Sequence, residues 1–301
     1  MSRRILVPLD GSPFAERALT LAVPIARQQA ATLVLTMAHP LPPQPSETGV
    51  PTVGDGSLHV DVREHLRAQL ERTARRVASR HGVTTVTQFR EGPIVDAIEA
   101  AVRDVDAAFV TMATHGRGGM SRAWLGSVTD ALLRRSHVPV LATRTARKWT
   151  LTTATEPLFP RVLMALDGSA AAEAALARTI ADLGATVGEF VLLRVEDAPI
   201  AAVSSTWISE ATLRIREGYL EPLAERHRAP SVRITTHAVV HHDAPRAILD
   251  AARELHAFAI ALGTHGRTGV RRTVLGSVAD KVIRASGLPV FVVPTAAPAP
   301  G

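Results

Sequence analysis

The chain has 301 residues, of which 46% are hydrophobic, 21% charged and 4% aromatic, and it has no cysteine. This composition supports a core of Ala, Val, Leu and Ile, and it excludes a disordered chain, disulfides, thiolate metal sites and cysteine nucleophiles. The net charge is +6, and the excess lies before Thr150, where 19 basic residues outnumber 13 acidic ones, against 15 of each afterwards.

Residues 4–9 form a short apolar run ending in Asp10-Gly11-Ser12. That pattern predicts a buried strand and a turn. Ser12 can cap a helix with Pro13 at its first position, running to about Gln29 and kinked at Pro24. Two arginines before an apolar stretch look like an export signal, but the stretch stops at Asp10, too short for one. No apolar run approaches the roughly 18 residues of a membrane helix. We therefore expect a cytoplasmic protein without membrane association.

Residues 32–37 predict a second strand. The stretch 40–57 is rich in Pro, Gly and Ser and reads as a loop. An amphipathic helix follows over 58–80. Its arginines alternate with acids (Arg63, Glu64, Arg67, Glu71, Arg72) and aromatics are few, so a solvated face is favoured over a nucleic-acid surface. A third strand is expected at 84–89, a helix at 93–105, an apolar strand at 107–112, a helix at 127–136 and a last strand at 138–142.

The pattern then repeats. Leu9-Asp10-Gly11-Ser12 returns as Leu166-Asp167-Gly168-Ser169, 157 residues later, and Thr114-His115-Gly116-Arg117 returns as Thr264-His265-Gly266-Arg267, 150 later. From Thr114 to Val140, 15 of 27 positions match their partners, which makes the chain a tandem duplication. The change of offset assigns about seven extra residues to the first copy. The expected domains are 1–147 and 161–295, joined by a Thr- and Pro-containing linker at 148–160. A disordered tail is expected at 296–301. The second copy predicts strands near Arg161, Phe190, Val232, Ala257 and Val290.

Strands alternating with helices predict an α/β fold of two tandem, doubly wound, five-stranded parallel-sheet domains. Right-handed crossovers reduce the choices to a few, and we expect strand order 3-2-1-4-5. In such sheets ligands sit beyond the carboxyl ends of the strands, at the switch point. Both repeated motifs fall there, after the first and fourth strands.

The fourth-strand loop of the second copy runs Gly263-Thr264-His265-Gly266, then nine residues to Gly276-Ser277 at a helix start. A glycine allows close approach to the backbone. A helix start offers free amides and the positive end of the helix dipole, which suit phosphate oxygens. Asp167 could accept from ribose hydroxyls or help hold a metal on the phosphates.

These residues resemble the universal stress protein family in its tandem form. The strand-end carboxylates are Asp10 and Asp167. The family's ATP-binding pattern, Gly-x2-Gly-x9-Gly-Ser/Thr, is complete at Gly263, Gly266, Gly276 and Ser277. In the first copy Gly116, Gly126 and Ser127 fit, but Ala113 replaces the first glycine. The resemblance implies ATP or another adenine nucleotide in each strand-end cleft, dimerisation, and a role in stress survival and growth arrest. Carried onto this chain, the first site comprises Pro8, Leu9, Asp10, Ala38, Met112, Ala113, Gly116, Arg117, Gly126, Ser127 and Val128. The second comprises Ala165, Leu166, Asp167, Val195, Leu262, Gly263, Gly266, Arg267, Gly276, Ser277 and Val278. Ala38 and Val195 match the adenine-packing strand, while Ala165 departs from the family's usual proline. Magnesium is expected only as a companion of the ATP phosphates.

His115 and His265 lack a neighbouring acid or nucleophile in the sequence, so no catalytic residue is assigned. His237, His241, His242 and Asp243 look like a metal cluster, but the first copy has Arg90-Glu91-Gly92 in that region, so a solvated loop is favoured. Trp124 reads as core or interface packing. Phosphate-loop, pyrophosphatase and nucleotidyl-transferase signatures are absent. The alternatives are a dimeric interaction module without nucleotide, or a slow ATPase. Pairing of the two domains within the chain is expected at the last strands, near Val140 and Val290, together with a homodimer.

Overall fold

A computed structural model describes residues 2–40, 56–114, 125–144, 156–197, 205–264 and 275–295. In the first half these are β1 (Arg4–Leu9), α1 (Leu19–Gln28), β2 (Thr32–His39), α2 (Gly56–His81), β3 (Thr85–Glu91), α3 (Ile94–Asp104), β4 (Phe109–Ala113), α4 (Ser127–Arg135) and β5 (Val140–Thr143). The second half has β6 (Val162–Leu166), α5 (Ala170–Leu183), β7 (Glu189–Glu196), α6 (Ser205–Ile215), α7 (Glu221–His227), β8 (Arg233–Val240), α8 (Ala244–Glu254), β9 (Ala259–Gly263), α9 (Ser277–Ala285) and β10 (Val290–Val293).

The strands form one ten-stranded sheet in the order β3-β2-β1-β4-β5-β10-β9-β6-β7-β8. Each half therefore has the expected 3-2-1-4-5 order, the second reading outward in reverse. All pairings within a half are parallel. At the centre, β5 and β10 pair antiparallel, with Phe291 opposite Leu141. Phe109 and Phe291 pack edge-to-face nearby, with centroids 5.7 Å apart.

The apolar runs of the strands are buried on both faces because helices cover both. One layer packs Ile5, Val7, Leu33 and Leu35 with residues of α1 and α2, and its counterpart in the second half packs Met164 and Leu192 with Leu176 of α5. The other packs Leu6, Val110, Leu163 and Ile260 with α3, α4, α8 and α9. In α2 the buried residues Leu70, Thr73, Ala74 and Val77 recur at helical spacing, so one stripe faces the sheet and the arginines face outward.

Three local differences from expectation have physical causes. The helix predicted from Ser12 begins as a 3-10 turn, Ala15–Ala18, before α1. Ser12 still caps it, its hydroxyl accepting from the Ala15 amide at 3.1 Å. In the second half the long helix is divided by a π-helical turn, Arg216–Leu220, whereas α2 is continuous. Phe159, expected in the linker, is fully buried and bonded to the backbone of Thr186 and Gly188, because an aromatic ring in an aromatic-poor chain finds its place in the core.

The halves also touch away from the central strands. Arg178 of α5 donates to the Ala108 carbonyl at 2.6 Å, and Gln29 donates to the Asp182 carbonyl at 2.8 Å. Asp182 accepts from both Arg3 and Arg178. Burial pushes its carboxyl above the ordinary range, although both arginines oppose the shift.

Candidate functional site

The two repeated motifs meet because β1 lies beside β4 and β6 beside β9. At the end of β1, Gly11 has φ +78°, and at the end of β6 Gly168 has φ +82°. That left-handed turn favours glycine. It folds each aspartate back on its own turn. Asp10 Oδ1 accepts from the Ser12 amide at 2.8 Å, and Asp167 Oδ1 accepts from the Ser169 amide at 3.0 Å and hydroxyl at 2.6 Å. Ser169 in turn caps α5 by accepting from Ala172. The carboxylates are thus fixed in orientation at the strand ends.

One strand away, the chain leaves β4 at Thr114 and returns at Gly126, whose amide donates to the Thr114 carbonyl at 2.7 Å. Gly276 and Thr264 repeat this bond at 2.7 Å. The returning glycine is the residue before α4 or α9. Ser127 and Ser277 are exposed at the first helical position. The first amides of each helix have no partner within the helix and lie at its positive end. The first fully intrahelical bonds run from Asp130 to Gly126 and from Asp280 to Gly276.

Strand alternation sorts the remaining candidates. Met112 and Leu262 lie in the layer with α3, α4, α8 and α9, and Val128, Ala165 and Val195 pack against it. Pro8 and Ala38 share that face by alternation with Leu6 and Val34. These residues form an apolar wall on one side of each strand-end cleft. Val278 is 38% exposed beside Ser277.

Leu9 and Leu166 follow the opposite alternation. Their side chains turn to the other layer, against α1 and α5, and are buried there. Ala113 follows the same alternation, on the face of Phe109, so its methyl points away from the apolar wall. Its carbonyl accepts from the Thr129 hydroxyl at 3.2 Å. Gly263 stands at the matching place. Gly116, Arg117, Gly266 and Arg267, with His115, His265 and Trp124, lie outside the described residues.

The histidine cluster of the second half is resolved differently from a metal site. His241 and His242 stack at 4.7 Å, His241 Nδ1 accepts the Asp243 amide at 2.9 Å, and Asp243 caps α8 through the Arg246 amide. Among the described residues no group of three or more His, Asp or Glu is arranged to hold a metal ion, and no helix is long and apolar enough to cross a membrane.

Three residues at the site's back were not singled out from the sequence. Gln69 of α2 donates to the Gly11 carbonyl at 2.8 Å. The matching position after the 150-residue offset is Tyr219, within the π-helical turn. The guanidinium of Arg194, the counterpart of Met37, lies 5.9 Å from the Tyr219 ring centroid. The Tyr219 hydroxyl is buried beside Glu173, and burial, with that carboxylate, pushes its pKa up to about 12. Pairing positions 69 and 219 by the repeat offset was the signal that could have found them.

With this geometry in place, comparison with known proteins is specific. A model of the universal stress protein family matches residues 1–144 and again 159–294. A universal stress protein of Mycobacterium tuberculosis is 27% identical over 189 residues, and the match covers 62% of this chain and 62% of that protein. A second from the same organism is 28% identical over 307 residues, covering 96% and 95%. The crystal structure of a universal stress protein from Archaeoglobus fulgidus superposes with a TM-score of 0.72 at 22% identity, covering 98% of this chain and 99% of that one.

Proposed function

The chain belongs to the universal stress protein family, and from that premise we propose that it is an ATP-binding, or adenine-nucleotide-binding, regulator of a stress response. Each half holds one nucleotide beyond the carboxyl ends of its first and fourth strands. The observation that carries this reading is the convergence of two separate motifs at the switch point of each half of the sheet, where a strand-end aspartate fixed on its own turn lies one strand away from a Gly-Ser helix start.

The division of labour follows from the chemistry. The amides at the starts of α4 and α9, with Ser127 and Ser277, receive phosphate oxygens at the positive helix ends. Asp10 and Asp167 accept from ribose hydroxyls. The apolar wall of Pro8, Ala38 and Met112, or Ala165, Val195 and Leu262, takes the base. A magnesium ion carried on the phosphates would spread their charge, and the oxygen donors at hand suit it. Binding rather than catalysis is the proposed role, because Asp167 is engaged in holding its own turn through Ser169. The same reading includes a cytoplasmic location and homodimer formation. The antiparallel β5–β10 contact supports pairing of the two domains within the chain.

The test is nucleotide extraction and native mass spectrometry on the purified chain, with calorimetric titration of ATP. One or two adenine nucleotides per chain are expected. No bound nucleotide, together with no heat at millimolar ATP, would leave a nucleotide-independent interaction module. Rapid multiple-turnover cleavage of ATP would replace the binding role with a catalytic one.

A further inference from the structure

Asp130 and Asp280 stand in the first turns of α4 and α9, directly behind the Gly-Ser starts. Each is bonded by the arginine one turn along its own helix. Arg134 Nε donates to Asp130 at 2.9 Å, and Arg284 Nε donates to Asp280 at 2.9 Å. Arg284 also reaches across the boundary between the halves, and its Nη2 donates to Asp130 at 3.2 Å. The reverse contact, from Arg134 to Asp280, is longer at 3.9 Å. Arg144, at the end of β5, adds a like charge near Arg284.

We propose that Arg284, a residue of the second repeat, is a positioning residue for the phosphate site of the first, and that by sharing this one cation the two nucleotide sites oppose each other. The inference rests on the nucleotide reading above and goes beyond it by giving that reading a regulation. Phosphate at the start of α4 places negative charge close to Asp130. The repulsion falls when Arg284 moves toward Asp130. That movement withdraws it from Asp280, whose charge then disfavours phosphate at the start of α9. Linkage makes the effect mutual. The two pairs are 29–34% exposed, so solvent limits the coupling to about two- to fivefold in affinity.

The experiment is calorimetric titration of the full chain with ATP at low salt, in a set of variants. Gly276→Val closes the second site, so that the first is read alone. In that background Arg284→Gln is expected to weaken the first site about two- to fivefold, while Arg284→Lys, which keeps the charge, restores most of it. A merely structural role for Arg284 would instead lower the melting temperature and leave the first-site affinity unchanged. In the unmodified chain the second ATP is expected to bind more weakly than it does when the first site is closed by Gly126→Val. Raising the salt concentration should remove the difference. Two independent sites, or a first site indifferent to Arg284→Gln, would overturn the coupling and leave the nucleotide reading intact. No ATP uptake at either site would overturn both.

Discussion

The amide of Gly276 donates to the carbonyl of Thr264 at 2.7 Å, closing the base of the loop between β9 and α9. At Gly276 φ is −58° and ψ 146°, an extended conformation open to any residue. The backbone itself therefore does not demand glycine there, and a demand made by close approach of a ligand becomes separable from stability. Gly276→Val is expected to change unfolding free energy by less than about 1 kcal/mol. It should lower ATP affinity at the second site at least tenfold and leave the first able to bind. A large loss of stability with normal binding would reverse the assignment.

Gly11 presents the opposite case. Its φ is +78°, and a Cβ added there would stand 2.9 Å from Gln69 Oε1. Gly11→Ala should destabilise the chain by about 1–2 kcal/mol, since a left-handed L-residue is strained, with the Gln69 bond disturbed as well. Denaturant unfolding measures it. A change near zero would mean that the turn relaxes freely.

Ala113 departs from the family's glycine pattern but turns its methyl away from the apolar wall. Ala113→Gly is accordingly expected to leave first-site ATP affinity within about twofold, as a residue outside the contact should. A tenfold gain on titration would show that the methyl obstructs the site.

Glu189 gives the acid limb of stability. Burial pushes its carboxyl up, but hydrogen bonds from Arg161 at 2.7 Å and Thr235 at 2.9 Å, with the charges of Arg161 and Arg233, outweigh burial and hold it below the ordinary 4.5. The stabilisation is complete above that ordinary value and is lost as pH falls through the lower folded one. Glu189→Gln should cost about 1–3 kcal/mol near neutrality, and the gap from the unmodified chain should narrow as pH falls below 4.5. Equal gaps at pH values on both sides would assign the cost to packing alone.

Tyr219 carries a buried hydroxyl beside Glu173. With its pKa pushed up to about 12 it stays protonated throughout the neutral range. Tyr219→Phe keeps the buried ring but removes the donor beside Glu173, so stability should fall by about 1–3 kcal/mol. No loss on denaturant unfolding would mean that the hydroxyl gains nothing from Glu173.

Much of this protein was legible in its sequence. The duplication, the parallel α/β class and the strand-end position of both motifs follow from local signals: apolar runs, Asp-Gly-Ser turns, and matches 150 and 157 residues apart. Strand existence was readable because buried parallel strands are continuously apolar. The orientation of Leu9 and Leu166 is contained in the alternation of their strands. The π-helical turn around Tyr219 does have a local signature, Gly218 and Pro222, because the proline lacks the amide that would donate to the Gly218 carbonyl.

What the sequence determined by itself is what neighbours along the chain decide: turn geometry at Gly11 and Gly168, helix starts at Gly126 and Gly276, and the apolar pattern of each strand. Only the tertiary structure decided which ends meet. It put β1 beside β4, joined β5 to β10, and brought Arg284 within 3.2 Å of Asp130, a residue 154 positions away. Those placements depend on sheet order and on packing of both helical layers at once. No local pattern encodes a contact that exists only when the two halves are assembled.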